Sequence, residues 1–225
     1  ETTLEEYVEN NIFATQNLLD AVLLYNKELK SFINIATSSV YGIEATVNET
    51  VPPAPVSFYG STKLAAEQLV LGLQRLNKLH ACSIRLYSVY GPRERPEKLY
   101  TKLIESLFNG IPFPLFEGSL KHERSFTYVG DIVDGLAAII GKEKEINGAI
   151  INLGTDEVNT TQEGISIVES LLDKQLIIEK KPARNGIPKY INTLSVTSFM
   201  DTLTLKLANP NFAGNTLMNN QTKKL

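Results

Sequence analysis

The chain has 225 residues, 43% of them hydrophobic, enough to bury a sizeable core in one or two domains. A formal net charge of −3 gives no basis for binding nucleic acid or an anionic membrane, and no apolar run approaches the ~20 residues that a bilayer span needs. One cysteine, Cys82, and two histidines exclude a disulfide framework and a zinc site; with no signal-peptide pattern at the start, a reducing cytoplasm is the expected location.

Apolar residues at helical spacing predict an amphipathic helix over 3–26. The short apolar run 31–36 predicts a buried parallel strand. Residues 43–58, with Pro52, Pro53 and Pro55, read as a loop in which Glu49 is an ordinary solvated acid or a site residue. A helix over 59–77 should pack Leu64, Leu69, Leu73 and Leu76 inward. Residues 81–87 predict the next strand, with Cys82 buried as a small hydrophobe. A helix at about 97–109 stops at Gly110-Ile111-Pro112. Short strands follow at 113–116 and 125–129. Asp131 should cap a helix over 132–140 that Gly141 ends. A buried strand over 149–153, a helix capped by Thr161 and reaching about Leu172, and a strand over 176–178 complete the pattern. His80 and His122 read as surface residues, and Asn209 to Leu225 as a polar tail. Alternating strands and helices predict a doubly wound parallel sheet.

Chemistry concentrates between Thr37 and Lys63. Three hydroxyls, Thr37, Ser38 and Ser39, follow the first strand, where parallel sheets place their sites. Tyr59 and Lys63 are four apart at the start of a helix and so share one face. A cation near a phenol favours the phenolate, which makes a tyrosine usable as a general base.

Four motifs occur together and in order: Thr37-Ser38-Ser39-Val40-Tyr41-Gly42, Pro55-x-x-x-Tyr59-Gly60-x-x-Lys63, Val89-Tyr90-Gly91-Pro92-Arg93, and Arg124-Ser125-Phe126-Thr127-Tyr128-Val129. In this combination the chain resembles the extended short-chain dehydrogenases/reductases, in the branch of NAD-dependent nucleotide-sugar epimerases and dehydratases. The resemblance implies a Rossmann-like nucleotide-binding part over 1–93. It implies a smaller substrate-capping α/β domain over 94–225, with about 126–155 returning to the Rossmann sheet. The family's Gly-x-x-Gly-x-x-Gly loop, which cradles the pyrophosphate, does not occur in this sequence, and the chain opens on Glu1 inside a helical pattern. The first βαβ units are therefore expected to be missing, and the chain as it stands to bind NAD poorly.

The resemblance also implies roles. Tyr59 is the base, Lys63 its partner on the nicotinamide ribose, Thr37 the assisting hydroxyl, and Asn11 a residue that shapes the cofactor site. Arg124 and Arg184 match positions that grip the UDP diphosphate. Dehydratases of the branch carry Asp-Glu where Ser38-Ser39 stand, and two serines cannot do that acid–base work. Ser38, Ser39 and Ser88, with the Gly91-Pro92-Arg93-Glu94-Arg95-Pro96 run, resemble the UDP-glucuronate 4-epimerases, where such hydroxyls face the sugar carboxylate, and they make Arg95 a substrate residue. The implied function is 4-epimerisation of UDP-glucuronate or UDP-glucose by a homodimer. A decarboxylase, a reductase or a non-catalytic nucleotide-sugar binding remnant are the alternatives. Ser125, Gly130 and Ile187 depart from family residues, which bears on substrate more than on fold.

Overall fold

The computed structural model describes residues 2–43, 48–155 and 157–183. Its centre is a parallel three-stranded sheet in the order β1 (Phe32–Thr37), β2 (Ala81–Leu86), β7 (Ile150–Leu153). Thr37 pairs with Leu86, and Leu86 with Leu153, so the three carboxyl ends finish level.

Strand β2 alternates between the two faces, as a pleated strand must. Cys82 and Ile84 join a core with Ile132, Ile139, Ile146, Ile151 and Leu153, under helix α5 (Val129–Ala138). Ala81 joins the opposite core with Leu19, Val70 and Leu79, under α2 (Ala14–Tyr25) and α3 (Phe58–Arg75). Helices on both faces make this a doubly wound α/β fold with Rossmann-like winding.

The first helical region is continuous but not uniform. α1 (Leu4–Tyr7) carries a capping box between Thr3 and Glu6 and passes through a π-helical stretch, Val8–Phe13, into α2. After β2 the chain forms β3 (Ser88–Tyr90), which pairs in parallel with β6 (Phe126–Tyr128). α4 (Leu99–Asn109), β4 (Phe113–Phe116), α6 (Thr161–Leu172) and β9 (Ile178–Lys181) pack around a separate core of Tyr100, Leu103, Leu107, Phe113, Ile165 and Val168. β5 (Glu123–Arg124) pairs antiparallel with β8 (Asn159–Thr160) beside it.

Several sequence expectations are corrected. Leu64, Leu69 and Leu73 pack inward as expected, but Leu76 is 66% exposed, because α3 ends at Arg75 and Leu76 is its C-cap. Asp131 is not a cap: α5 begins at Val129 and Asp131 lies in its first turn, where an acid still favours the helix dipole. The cap of α6 is Thr160, not Thr161, since Thr160 forms the reciprocal capping box with Glu163. The last strand is Ile178–Lys181, set by parallel pairing with β4 rather than by its own apolar residues. His122 is half-buried, not a surface residue.

Candidate active site

Thr37 closes β1 in an extended conformation and caps the 3-10 turn Ser38–Tyr41. Its hydroxyl accepts the Ser39 N–H at 3.2 Å and donates to the Ser39 hydroxyl at 3.3 Å. Thr37 and Ser38 are each 8% exposed and Ser39 is half-buried. The turn leaves through Gly42 at φ +89°, where a Cβ would fall 2.2 Å from the Ala54 carbonyl oxygen. Only glycine permits both that backbone and that approach.

α3 brings Tyr59 and Lys63. Its first turn is capped by Ser57, whose hydroxyl accepts the Gly60 N–H at 3.1 Å. A Cβ on Gly60 would lie 2.6 Å from the Ser39 carbonyl oxygen. The helix start is thus seated on the serine turn, and Tyr59, 38% exposed, stands beside it. The Lys63 ammonium donates to the Ile35 carbonyl at 2.6 Å, a partner outside the sequence reading. Burial lowers its pKa from the ordinary lysine value, while the Glu67 carboxylate works the other way.

Asn11 lies in the π-helical stretch, a distortion that often marks functional sites. Its amide donates to the Thr62 hydroxyl at 2.9 Å, and Thr62 donates in turn to the Phe58 carbonyl at 2.8 Å. Asn11 is therefore tied to the turn of α3 between Tyr59 and Lys63. Tyr7, which sequence reasoning missed, packs its ring 5.9 Å from that of Tyr59.

A second missed set lies beneath. Glu67 is 0% exposed and Arg85 1%, and they pair through two hydrogen bonds of 2.6 and 3.0 Å. Burial opposes charge on Arg85, but the hydrogen bonds and attraction of Glu67, helped by Tyr41, outweigh it and hold the guanidinium protonated. Glu67 also accepts from Ser83 at 2.9 Å, and Ser83 accepts from Asn34 at 3.0 Å. The signal was available: Glu67 follows Lys63 by four residues on an otherwise apolar face, and Arg85 interrupts an apolar strand. Glu49 has a specific partner, the Asn152 N–H at 2.8 Å, so it is not merely solvated.

The remaining expected residues are spread more widely. Ser88 is half-buried at the start of β3, two residues beyond the β2 edge. Arg95 is exposed in the segment before α4. Arg124 lines a different cavity of about 250 Å³ with Lys98, Lys102, Phe113, Leu115 and Thr161. Ala183 lines that cavity too, and Arg184 lies outside the described residues. No cluster of metal-binding side chains occurs among the described residues.

Residues 1–154 match the model of the NAD dependent epimerase/dehydratase family. The chain belongs to that family. Proteins similar to it include the uncharacterized UDP-glucose epimerase YtcB of Bacillus subtilis, 34% identical over 81% of this chain and 57% of the relative. The dTDP-glucose 4,6-dehydratase of Neisseria gonorrhoeae is 30% identical over 82% and 55%. Among solved structures, the UDP-glucuronic acid 4-epimerase of Bacillus cereus, in complex with UDP-glucuronic acid and NAD, superposes with a TM-score of 0.82. It is 34% identical over 90% of this chain and 63% of that one. The chain spans about half the length of the curated relatives it matches.

Proposed function

We propose that the chain works as part of an NAD-dependent nucleotide-sugar 4-epimerase that takes UDP-glucuronate in preference to UDP-glucose. The observation that carries this reading is the seating of the Tyr59 helix on the Thr37–Ser39 turn at Gly60, which gathers a phenol, an ammonium and three hydroxyls at one sheet edge. The Bacillus cereus neighbour, solved with UDP-glucuronic acid and NAD, supports it.

Tyr59 takes the proton of the sugar 4-hydroxyl, and Thr37 hydrogen-bonds the same oxygen. Lys63 fits the nicotinamide ribose: an ammonium has three donors, and Ile35 takes one of them. NAD, when bound, supplies the hydride acceptor at C4. Ser38, Ser39 and Ser88 hold the sugar carboxylate by charge-assisted hydrogen bonds while the ring turns over. Arg95 is assigned to the substrate with them, and Arg184 to the diphosphate with Arg124. Arg124, with Lys98 and Lys102, faces the diphosphate in the 250 Å³ cavity, and Phe113 and Leu115 supply the apolar wall for the base. Dehydration is disfavoured, because neither Ser38 nor Ser39 is an acid or base at neutral pH.

The same reading assigns residues 1–93 to the nucleotide-binding part and 94–225 mainly to the substrate part, with about 126–155 returning to the sheet. It also assigns a homodimer, for which the exposed Leu18 and Leu24 on α2 and Phe58 on α3 offer apolar surface. The test is kcat/KM for UDP-glucuronate against UDP-glucose, with CO₂ followed in parallel. Preference for the acid with UDP-galacturonate as product is expected. Preference for the neutral sugar, or CO₂ as the main product, would overturn the assignment.

A further inference from the structure

The proposed site is split between two elements. The hydroxyls stand on the turn after β1, and Tyr59 and Lys63 stand on α3, with the Pro-rich loop between them in sequence. Beneath both runs one buried polar chain. Glu67 of α3 holds Arg85 of β2 at 2.6 Å. The Arg85 guanidinium lies over the Tyr41 ring, 4.7 Å from its centroid. The Tyr41 hydroxyl donates to the Asn152 side-chain oxygen of β7 at 2.9 Å. The Asn152 N–H donates to Glu49 of the loop. Tyr41 is 5% exposed and Asn152 0%.

We propose that Tyr41 is a positioning residue: by bridging Arg85 and Asn152 it locks the turn bearing Thr37, Ser38 and Ser39 in register with the helix bearing Tyr59 and Lys63. What the locked residues do rests on the epimerase reading; that they are locked does not. Both anchors of Tyr41 are themselves fixed. Arg85 and Asn152 are register partners on adjacent strands, and Glu67 clamps the Arg85 head. Besides the packing of Val40 and Tyr41 with Tyr87 and Leu64 and the seat of Gly60, the turn is held by short-range hydrogen bonds: Thr37 hydroxyl to Ser39 hydroxyl, Ser39 N–H to Thr37, Gly42 N–H to Ser39 at 3.4 Å, and Ala54 N–H to Val40 at 2.9 Å. Nη1 of Arg85 is buried without a hydrogen-bond acceptor. The Tyr41 ring adds a cation–π contact to the same guanidinium.

The deciding variants are Tyr41→Phe, which removes the hydroxyl and keeps the ring, and Asn152→Ser, which withdraws the acceptor from the other side without touching the turn. Amide hydrogen exchange is measured on the full chain without substrate. The Ser39, Gly42 and Ala54 amides are expected to exchange about tenfold faster in both variants, as loss of one buried hydrogen bond allows. The Val70 and Leu71 amides of α3 should keep their native rates. Where epimerisation is assayed, kcat falls with KM within about twofold, since the lost register acts on the reacting atoms rather than on uniform substrate binding. Unchanged exchange at the turn, or equal acceleration throughout the chain, would overturn the proposal. A full-length protein without epimerase activity would refute the functional reading instead, and the exchange rates would still decide on Tyr41.

Discussion

Gly60 is the residue through which the two halves of the site meet. Adding a methyl there would place a Cβ 2.6 Å from a backbone oxygen, which cannot rotate away as a side chain could. Gly60→Ala is expected to cost about 1–3 kcal/mol of stability by overpacking and to displace the serine turn. Denaturant unfolding reads the first and turnover the second; a neutral variant on both counts would mean that the contact yields easily. That Tyr59 and Lys63 share one face of a helix was legible in the sequence, because helical spacing alone puts them there. The Ile35 carbonyl under Lys63 and the Tyr7 ring against Tyr59 were not, since both arise from packing between elements distant in sequence.

At the level of elements, the buried Glu67–Arg85 pair links α3 to β2. Glu67→Ala leaves a guanidinium buried without its partner, and the expected loss is roughly 3–5 kcal/mol. The double variant Glu67→Met with Arg85→Leu should recover most of that, because a well-packed apolar pair is often neutral. A double variant as unstable as the single one would show that the pair contributes more than mutual neutralisation. The α/β alternation and most element positions were readable from apolar periodicity. The buried Glu67 on α3 was not, since it depends on pairing with Arg85 of a distant strand, and Leu76 lies in solvent because the helix stops at Arg75. The capping errors at Asp131 and Thr161 have a similar origin. Two adjacent threonines, or an acid in a first turn, look alike until the backbone shows which N–H groups are unpaired.

At the level of the whole molecule, buried acids set the alkaline limit. Burial pushes the Cys82 thiol from 9.0 up to about 11 and the Tyr90 phenol from 10.0 up to about 12. Both folded values lie above the unfolded ones, so their stabilisation is complete below about pH 9 and is lost as pH rises toward 11–12. Lys63, lowered by burial, opposes this as a single group. Tm should therefore fall steadily above pH 9, and Cys82→Ala should flatten the first part of that fall. A Tm that holds level to pH 11 would mean that these groups reach water in the folded state. The fold and the functional proposal converge on the carboxyl edge of the sheet, where Tyr59 is assigned the proton transfer. The most direct measurement supplies UDP-glucuronate and NAD to the full-length protein and to its Tyr59→Phe variant, reading product formation together with UDP-glucuronate affinity. The expected result is a loss of turnover of about 10²–10⁴-fold with affinity changed less than a few-fold. Turnover in Tyr59→Phe close to that of the unsubstituted full-length protein would contradict the account.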